Sequence, residues 1–186
     1  KDNKEIKILD VASNDGTFLN FFKNKKFYKL GVDPARNLKK YAQKKGIKQL
    51  VLYFNNQTSK FIKSKYGLFD VITANHVCAH VDDLRSFVEG VKNLLKKDGF
   101  FSFEVSYLGD VIKKKTFDII YHEHLDYHSL KPLVNFFKSL KLEIFDFELV
   151  KAQGGSIRIY VSHQGAKKIN KKKINIQKLV EKNTYK

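Results

Sequence analysis

Short apolar runs alternate with amphipathic stretches along this chain. Residues 6–11, 28–32, 50–54, 69–74 and 100–105 are compact and rich in Val, Ile, Leu, Phe and Tyr, which suits buried strands. Between them the apolar positions fall at helical spacing. The clearest case is 84–95, where Leu84, Phe87, Val88, Val91, Leu94 and Leu95 form one stripe. Asp82 or Asp83 can cap that helix, and Lys96-Lys97-Asp98-Gly99 can end it. Further helices are expected at 17–24, 37–45, 57–65 and 133–140. Segments 143–150 and 156–163 alternate well enough to form an antiparallel pair. Strand–helix alternation over most of the chain, closed by a hairpin, predicts an α/β fold around a largely parallel sheet. No internal repeat interrupts it.

In such sheets ligands bind beyond the carboxyl ends of the strands. Two acids stand there. Asp10 closes the run Ile6-Lys7-Ile8-Leu9, and small and turn-forming residues follow it: Ala12, Ser13, Asn14, Asp15, Gly16, Thr17. Asp33 closes Leu30-Gly31-Val32 and precedes Pro34. A carboxylate at the end of the second strand is placed to accept hydrogen bonds from two ribose hydroxyls. The first loop departs from Gly-x-Gly-x-x-Gly, because Ser13 and Asp15 stand where glycines would. A pyrophosphate pressed against it would meet the Asp15 carboxylate, so the expected ligand is a nucleoside without phosphates.

On Leu9-Asp10-Val11-Ala12-Ser13-Asn14-Asp15-Gly16-Thr17 and Gly31-Val32-Asp33-Pro34 the chain resembles the class I S-adenosylmethionine-dependent methyltransferases. The resemblance implies a Rossmann-like seven-stranded sheet of order 3-2-1-4-5-7-6 with the last strand antiparallel. It implies S-adenosyl-L-methionine as cofactor and S-adenosyl-L-homocysteine as product. The expected cofactor contacts are Asp10, Ala12, Ser13, Asn14, Asp15, Gly16, Thr17, Asp33, Pro34, Phe54, Asn55 and Asn75.

Composition narrows the partners. With 186 residues, 42% apolar content and 16 Phe, the chain can bury a sizeable core. No 18-residue apolar run and no signal-peptide pattern occurs, so no membrane association is expected. The single cysteine, Cys78, allows no internal disulfide and fits a cytoplasmic setting. The net charge is +17, from 36 Lys and Arg against 19 Asp and Glu. Such an excess ordinarily points to nucleic acid. Here only Arg36, Arg85 and Arg158 are arginines, and residues 167–186 alone carry eight lysines against one glutamate. Arginine makes most bidentate base and phosphate contacts. Nucleic acid is therefore not the expected partner, and the remaining charge favours a small anionic ligand such as a nucleotide diphosphate.

Two stretches carry candidate chemistry. Asn75-His76-Val77-Cys78-Ala79-His80 follows the fourth strand, and its histidines are four apart. They can line an active site, cap and pack, or contribute to a metal site that would still need a third ligand. Tyr121-His122-Glu123-His124-Leu125-Asp126-Tyr127-His128 follows the fifth strand. Histidine titrates near neutral pH, and a carboxylate beside it can orient it as a general base. The alternatives are a polar surface loop or a His/Glu/His metal site. Gly154-Gly155 reads as a hairpin turn or bulge, or as part of a pocket wall.

Tyr121-His122-Glu123-His124, with Ala79-His80-Val81-Asp82-Asp83, Phe103-Glu104-Val105 and Gln153-Gly154-Gly155-Ser156-Ile157-Arg158, is similar to the sugar C-methyltransferase family that acts on nucleotide-linked ketosugars. The likeness covers about 6–163. It implies that Tyr121, Glu123, His124 and His80 line the active site, with His124 the base and no metal needed for transfer. It also implies a cysteine-rich zinc-binding segment before this region and a further domain after it. The expected division is a cofactor-binding domain at 1–164, a basic linker over 166–173 and an opening helix over 174–186. The expected activity is C-methylation of a nucleotide-linked ketosugar. The alternatives are an O-methyltransferase on a sugar or small metabolite, a methyltransferase-like RNA-binding module, and an idle cofactor-binding scaffold. Oligomeric state is not legible.

Overall fold

Parallel pairing builds the first half of the sheet. The computed structural model describes residues 5–184. In chain order, β1 (Ile6–Val11), β2 (Phe27–Val32), β3 (Lys48–Leu50) and β4 (Phe69–Asn75) alternate with α1 (Thr17–Asn20), α2 (Lys39–Lys44) and α3 (Asn56–Tyr66). Helix α4 (Leu84–Leu94) runs directly into β5 (Leu95–Ser106). There follow α5 (Leu108–Lys114), α6 (Leu130–Ser139), β6 (Leu142–Val150), β7 (Ser156–His163) and α7 (Lys171–Thr184). The seven strands form one sheet in the order β3-β2-β1-β4-β5-β7-β6. β1 pairs in parallel with β2 and β4, β2 pairs in parallel with β3, and β6 and β7 are antiparallel. The expected α/β sheet and its strand order are thus present. Among the described residues no helix is long and apolar enough to cross a membrane.

The chain groups into two compact units, one of residues up to 74 with 83–101, the other of 75–82 with 102–186. In the first, Ile8, Leu19, Ala42 and Ile47 are buried together, with Phe22, Phe27 and Val71 packed against them. α3 and α4 lie against each other. Gly90 permits the approach, since a Cβ there would sit 2.8 Å from the Asn55 carbonyl oxygen. In the second unit Phe103 stacks against Phe137 at 5.6 Å between ring centres, and Ile157, Ile159 and Val161 are fully buried. The β6–β7 register carries a bulge between Ile144 and Asp146.

Several boundaries differ from expectation. α1 stops at Asn20; Leu19 is buried and Phe22, beyond the helix, packs against the same cluster, while Phe21 is 75% exposed. β3 lies at 48–50 rather than 50–54. Its pairing with Leu30–Val32 ends where the Asp33 amide donates to the Leu50 carbonyl, and the chain then leaves the sheet. β5 begins at Leu95 because Lys96 pairs with Asp70 at 2.7 Å and Gly99 presses against the Phe69 and Asp70 carbonyls. α5 was not foreseen; it is seven residues long and buries only Gly109 and Val111. α6 starts at Leu130, with Pro132 inside its first turn, where a missing N–H costs little.

The expected linker at 166–173 is shortened, because α7 begins at Lys171. Lys173 bonds Asp146 at 2.8 Å and also the Phe147 carbonyl. Residues 185–186 of the expected terminal helix lie outside the described residues. α7 is anchored by Glu181, which is 1% exposed. Its carboxylate accepts the amides of Leu130 at 2.6 Å and Lys131 at 2.9 Å, and the Tyr107 hydroxyl at 3.1 Å. It therefore caps α6 across 50 residues of chain, a task that the Ser129 side chain does not perform. Glu181→Ala leaves these donors unmet and is expected to cost about 1–3 kcal/mol. Urea unfolding of the variant checks this, with Glu181→Gln expected to recover only part of the loss, since its amide nitrogen cannot accept from Lys131.

Candidate functional site

In the first unit the loop after β1 takes an unusual path. Ala12, Asn14 and Gly16 all have positive φ, at 58°, 51° and 75°. The glycine does so freely and asparagine tolerates it, so the strain falls chiefly on Ala12. The loop is held from several sides. The Ser13 amide donates to the Val32 carbonyl at 3.1 Å. The Asn14 amide donates to Asp33 Oδ2 at 2.9 Å, and Asp33 Oδ1 accepts the Ala35 amide at 2.9 Å. Gly31 lies so close that a Cβ there would fall 2.5 Å from Ser13 Oγ. Asp33 and Ser13 are buried, whereas Asn14, Thr17 and Pro34 are exposed.

Asp15 meets Lys45, which bonds its carboxylate and its carbonyl, the latter at 3.1 Å, and also Thr17 Oγ1 at 2.9 Å. Hydrogen bonds from Lys45 and Thr17 hold the Asp15 carboxyl down at about 2. It stays ionised, but its charge is matched by Lys45, so the expected repulsion toward an anionic ligand is weaker than the sequence suggests.

Asp10 is 3% exposed and accepts the Thr73 hydroxyl at 2.6 Å. Burial pushes its carboxyl up to about 7; the Thr73 bond opposes this and the nearby Asp33 charge adds to it. Phe54 leaves β3 to pack edge-on against Phe87 at 5.1 Å. Asn55 is engaged in a reciprocal cap of α3 with Thr58. The sequence reading passed over Gln49. It is buried in β3, and its Nε2 donates to the Asn14 carbonyl at 2.6 Å and Ser13 Oγ at 3.1 Å. Its Oε1 is a buried side-chain oxygen left without a partner. In sequence it stands out only as a long polar residue between the apolar Ile47 and Val51, with nothing to show what it bonds.

The second unit holds Asn75, half-buried at the end of β4, and the histidine-rich segments. Loop 121–126 is tied to the turn after β4 by the Leu125 amide, which donates to the Ala79 carbonyl at 2.8 Å. His80 Nδ1 lies 2.7 Å from the Glu123 carbonyl. His124 Nδ1 lies 2.7 Å from the Ile119 carbonyl, and its Nε2 lies 2.9 Å from the Tyr121 hydroxyl. A carbonyl only accepts, so Nδ1 carries the proton and Nε2 presents a lone pair to Tyr121. The His124 ring is 4.1 Å from Tyr121, 4.8 Å from His80 and 6.2 Å from Tyr127, centre to centre.

His80, Tyr121 and His124 are thus brought together. Glu123 joins through its backbone, while its side chain is 66% exposed and 3.9 Å from the solvent-facing His122. His128 is buried with Nε2 3.5 Å from the Cys78 carbonyl, and burial lowers its pKa. Among the described residues no three His, Cys, Asp or Glu side chains converge as a metal-ion site.

A family described as methyltransferase domain matches residues 1–145. The chain belongs to that family. A curated relative, the C-methyltransferase NovU of Streptomyces niveus, is 33% identical over 159 residues, or 86% of this chain. The chain spans about 38% of that relative's length. Solved structures share the fold at lower identity. Magnesium protoporphyrin IX methyltransferase from Synechocystis PCC 6803, with bound SAH, matches 88% of this chain and 76% of its own at 11% identity and a TM-score of 0.66. A S-adenosylmethionine-dependent methyltransferase from Clostridium acetobutylicum ATCC 824 matches 86% and 84% at 17% identity and 0.62.

The Asp10 shift has a stability consequence in this methyltransferase domain. The folded-state pKa of about 7 lies above the ordinary 3.8, so the native state resists ionisation that the unfolded chain accepts. Stability falls as pH rises from about 4 to 7 and levels off above, by up to about 4 kcal/mol for three pKa units. Asp10→Asn keeps the Thr73 bond and removes the cost. Without cofactor it is expected to be more stable than the native chain at pH 8 and equal to it near pH 4, as urea titrations at the two pH values will read.

Proposed function

We propose that this chain is the S-adenosylmethionine-binding domain, 1–164, of a C-methyltransferase acting on a nucleotide-linked ketosugar, with 165–186 leading into a further segment. The observation that carries the chemistry is the His124–Tyr121 pair, a histidine locked by the Ile119 carbonyl with its free lone pair on a phenol 2.9 Å away. The C-methyltransferase relative supports carbon as the methyl acceptor.

The first-unit loop fits the cofactor by its donor set. Asp33 is tied to two amides, and its carboxylate oxygens keep lone pairs for ribose hydroxyls. Asp10 offers a carboxylate that a cationic ligand would help to ionise. The backbone of 12–17, Pro34, Phe54, Asn55 and Asn75 would complete the contacts. When bound, the cofactor supplies an electrophilic methyl group on a sulfonium that leaves as a neutral thioether.

The chain's own task is to make the acceptor carbon nucleophilic. A ketone acidifies the C–H beside it. Tyr121 takes that proton while passing its own to His124 Nε2, and the electron pair of the C–H bond becomes an enolate. His124 Nδ1 keeps its proton on the Ile119 carbonyl, so the ring ends as an imidazolium stabilised by that bond. His80, 4.8 Å from His124, and Glu123 hold the sugar. Such base catalysis is worth ~10²–10⁴-fold. The lysine excess suits the diphosphate of the acceptor.

The test uses the full-length protein with a panel of nucleoside-diphosphate ketosugars, and NMR to tell C-methyl from O-methyl product. A C-methyl product is expected; an O-methyl product overturns the carbon assignment. His124→Ala is expected to keep the affinity for S-adenosylhomocysteine, read by calorimetry, and to lose turnover by at least ~10²-fold. Asp33→Ala is expected largely to abolish that binding, and turnover with it. Equal binding by Asp33→Ala and the native chain sinks the cofactor assignment.

A further inference from the structure

Gln49 takes no part in the chemistry set out above, yet its place in the fold is costly. It lies on β3 beside Gly31 of β2 and is 4% exposed. A buried amide is unfavourable unless both of its ends find partners. Here only one end does. Nε2 donates to the Asn14 carbonyl at 2.6 Å and to Ser13 Oγ at 3.1 Å. A carbonyl only accepts, so the nitrogen must face Asn14 and the oxygen must turn away. Among the described residues, Oε1 has no hydrogen-bond partner. Methionine would fill the same space without an unpaired oxygen. The reason for glutamine therefore lies in its donor.

The surroundings are shaped for that reach. Ser13 and Asn14 follow β1, and β2 lies between β1 and β3, so the side chain must cross β2 to meet them. Gly31 leaves the way open. A Cβ there would fall 2.5 Å from Ser13 Oγ and 3.6 Å from Gln49 Cγ. Asparagine is one methylene shorter and leaves the Asn14 carbonyl out of reach.

What the donor holds is a single peptide unit. Asn14 has a φ of 51°. Asp33 Oδ2 takes its amide at 2.9 Å, and Gln49 takes its carbonyl. In a trans peptide the C=O and the next N–H point opposite ways. With the Asn14 carbonyl turned in to Gln49, the Asp15 N–H turns out, where it meets the exposed Asn14 Oδ1 at 2.7 Å. Asp33 fixes the peptide before Asn14, and Lys45 bonds the Asp15 carbonyl in the peptide after it. The Asn14–Asp15 peptide between them is left to Gln49.

We propose that Gln49 is a positioning residue for the cofactor. It holds the Asn14–Asp15 peptide with its carbonyl in and its N–H out, and so keeps the loop after β1 in the form that binds S-adenosylmethionine. The unpaired Oε1 is the stability given up for that task. This rests on the reading of the loop as the cofactor site.

The experiment uses the full-length protein, calorimetry with S-adenosylhomocysteine and amide hydrogen exchange. Gln49→Met keeps length and bulk but removes both the donor and the unpaired oxygen. Gln49→Asn keeps the amide and loses the reach. A freed peptide that holds the native orientation about a tenth of the time weakens binding ~10-fold, and both variants are expected to lose at least that much. Gln49→Met is expected to do so with Tm at or above the native value, which a merely structural glutamine does not give. Without ligand, the Ser13, Asn14 and Gly16 amides of both variants are expected to exchange faster than in the native chain, while those of β1, β2 and β4 do not. Saturating S-adenosylhomocysteine is expected to restore their protection. Native affinity in Gln49→Met overturns the proposal. So does weaker binding without faster exchange of the loop amides, or with a lower Tm and faster exchange throughout the sheet. Asp33→Ala separates this assignment from the reading beneath it. If Asp33→Ala loses binding while Gln49→Met binds as the native chain does, the assignment fails and the cofactor site stands. If both bind as the native chain does, the loop is not the cofactor site and both fail.

Discussion

The Asp33 carboxylate holds two turns at once, and the loop after β1 depends on it. One oxygen takes the amide of Asn14 and the other the amide of Ala35, both at 2.9 Å. The loop it holds has two non-glycine residues at positive φ, Ala12 and Asn14, of which Ala12 carries a strain of about 1–3 kcal/mol. A loop left to itself would relax. It keeps its path because Asp33, the Val32 carbonyl and Gln49 all fix its backbone, and because Gly31 lets Ser13 come within contact of β2. The same carboxylate that orders the loop is the one read as facing ribose. On that reading a substitution there removes a ligand contact and the shape of the loop together.

Asp10 expresses the opposite bargain. Burial makes its ionised form unfavourable, and the neighbouring Asp33 charge adds to the difficulty. A stability-optimised chain would place an amide there. The acid makes sense for a protein whose ligand brings positive charge, because a cation near the carboxylate offsets both the desolvation and the repulsion. Lys45 plays the corresponding part for Asp15 within the chain itself, which is why one acid of the loop is held at about 2 while the other rises to about 7.

The strands were legible where a run was both apolar and bounded. β1, β4, β6 and β7 lie close to where their hydrophobic pattern put them, and Asp10 and Asp33 fall at the ends of β1 and β2. The pattern failed where tertiary contacts decide. Residues 51–54 look like strand, but Phe54 is drawn out of the sheet to Phe87. Leu95–Gly99 reads as a helix stop, yet pairing of Lys96 with Asp70 carries the chain straight into β5. Glu181 resembles one more charge in a lysine-rich tail, and only the fold reveals that it is buried against the start of α6. Gln49 was invisible for a related reason: its bonds go to a loop 35 residues away.

The histidine-rich segment shows how far composition can go. As sequence, His122, His124 and His128 are equivalent candidates within seven residues. The fold gives each a different environment. His122 is 90% exposed, free of the ring cluster. His128 is buried against the Cys78 carbonyl, and burial keeps it neutral at physiological pH. A base must accept a proton and then carry it, which needs a free lone pair and a stabilised cation. His122 meets only the exposed Glu123 carboxylate at 3.9 Å, and no buried group fixes its ring. His128 is penalised for charging. His124 has its Nδ1 proton fixed on a carbonyl and its Nε2 turned to a phenol, and its ring is flanked by Tyr121, His80 and Tyr127. For the proposed C-methylation, geometry and desolvation rather than the abundance of imidazoles favour that one residue as the proton acceptor.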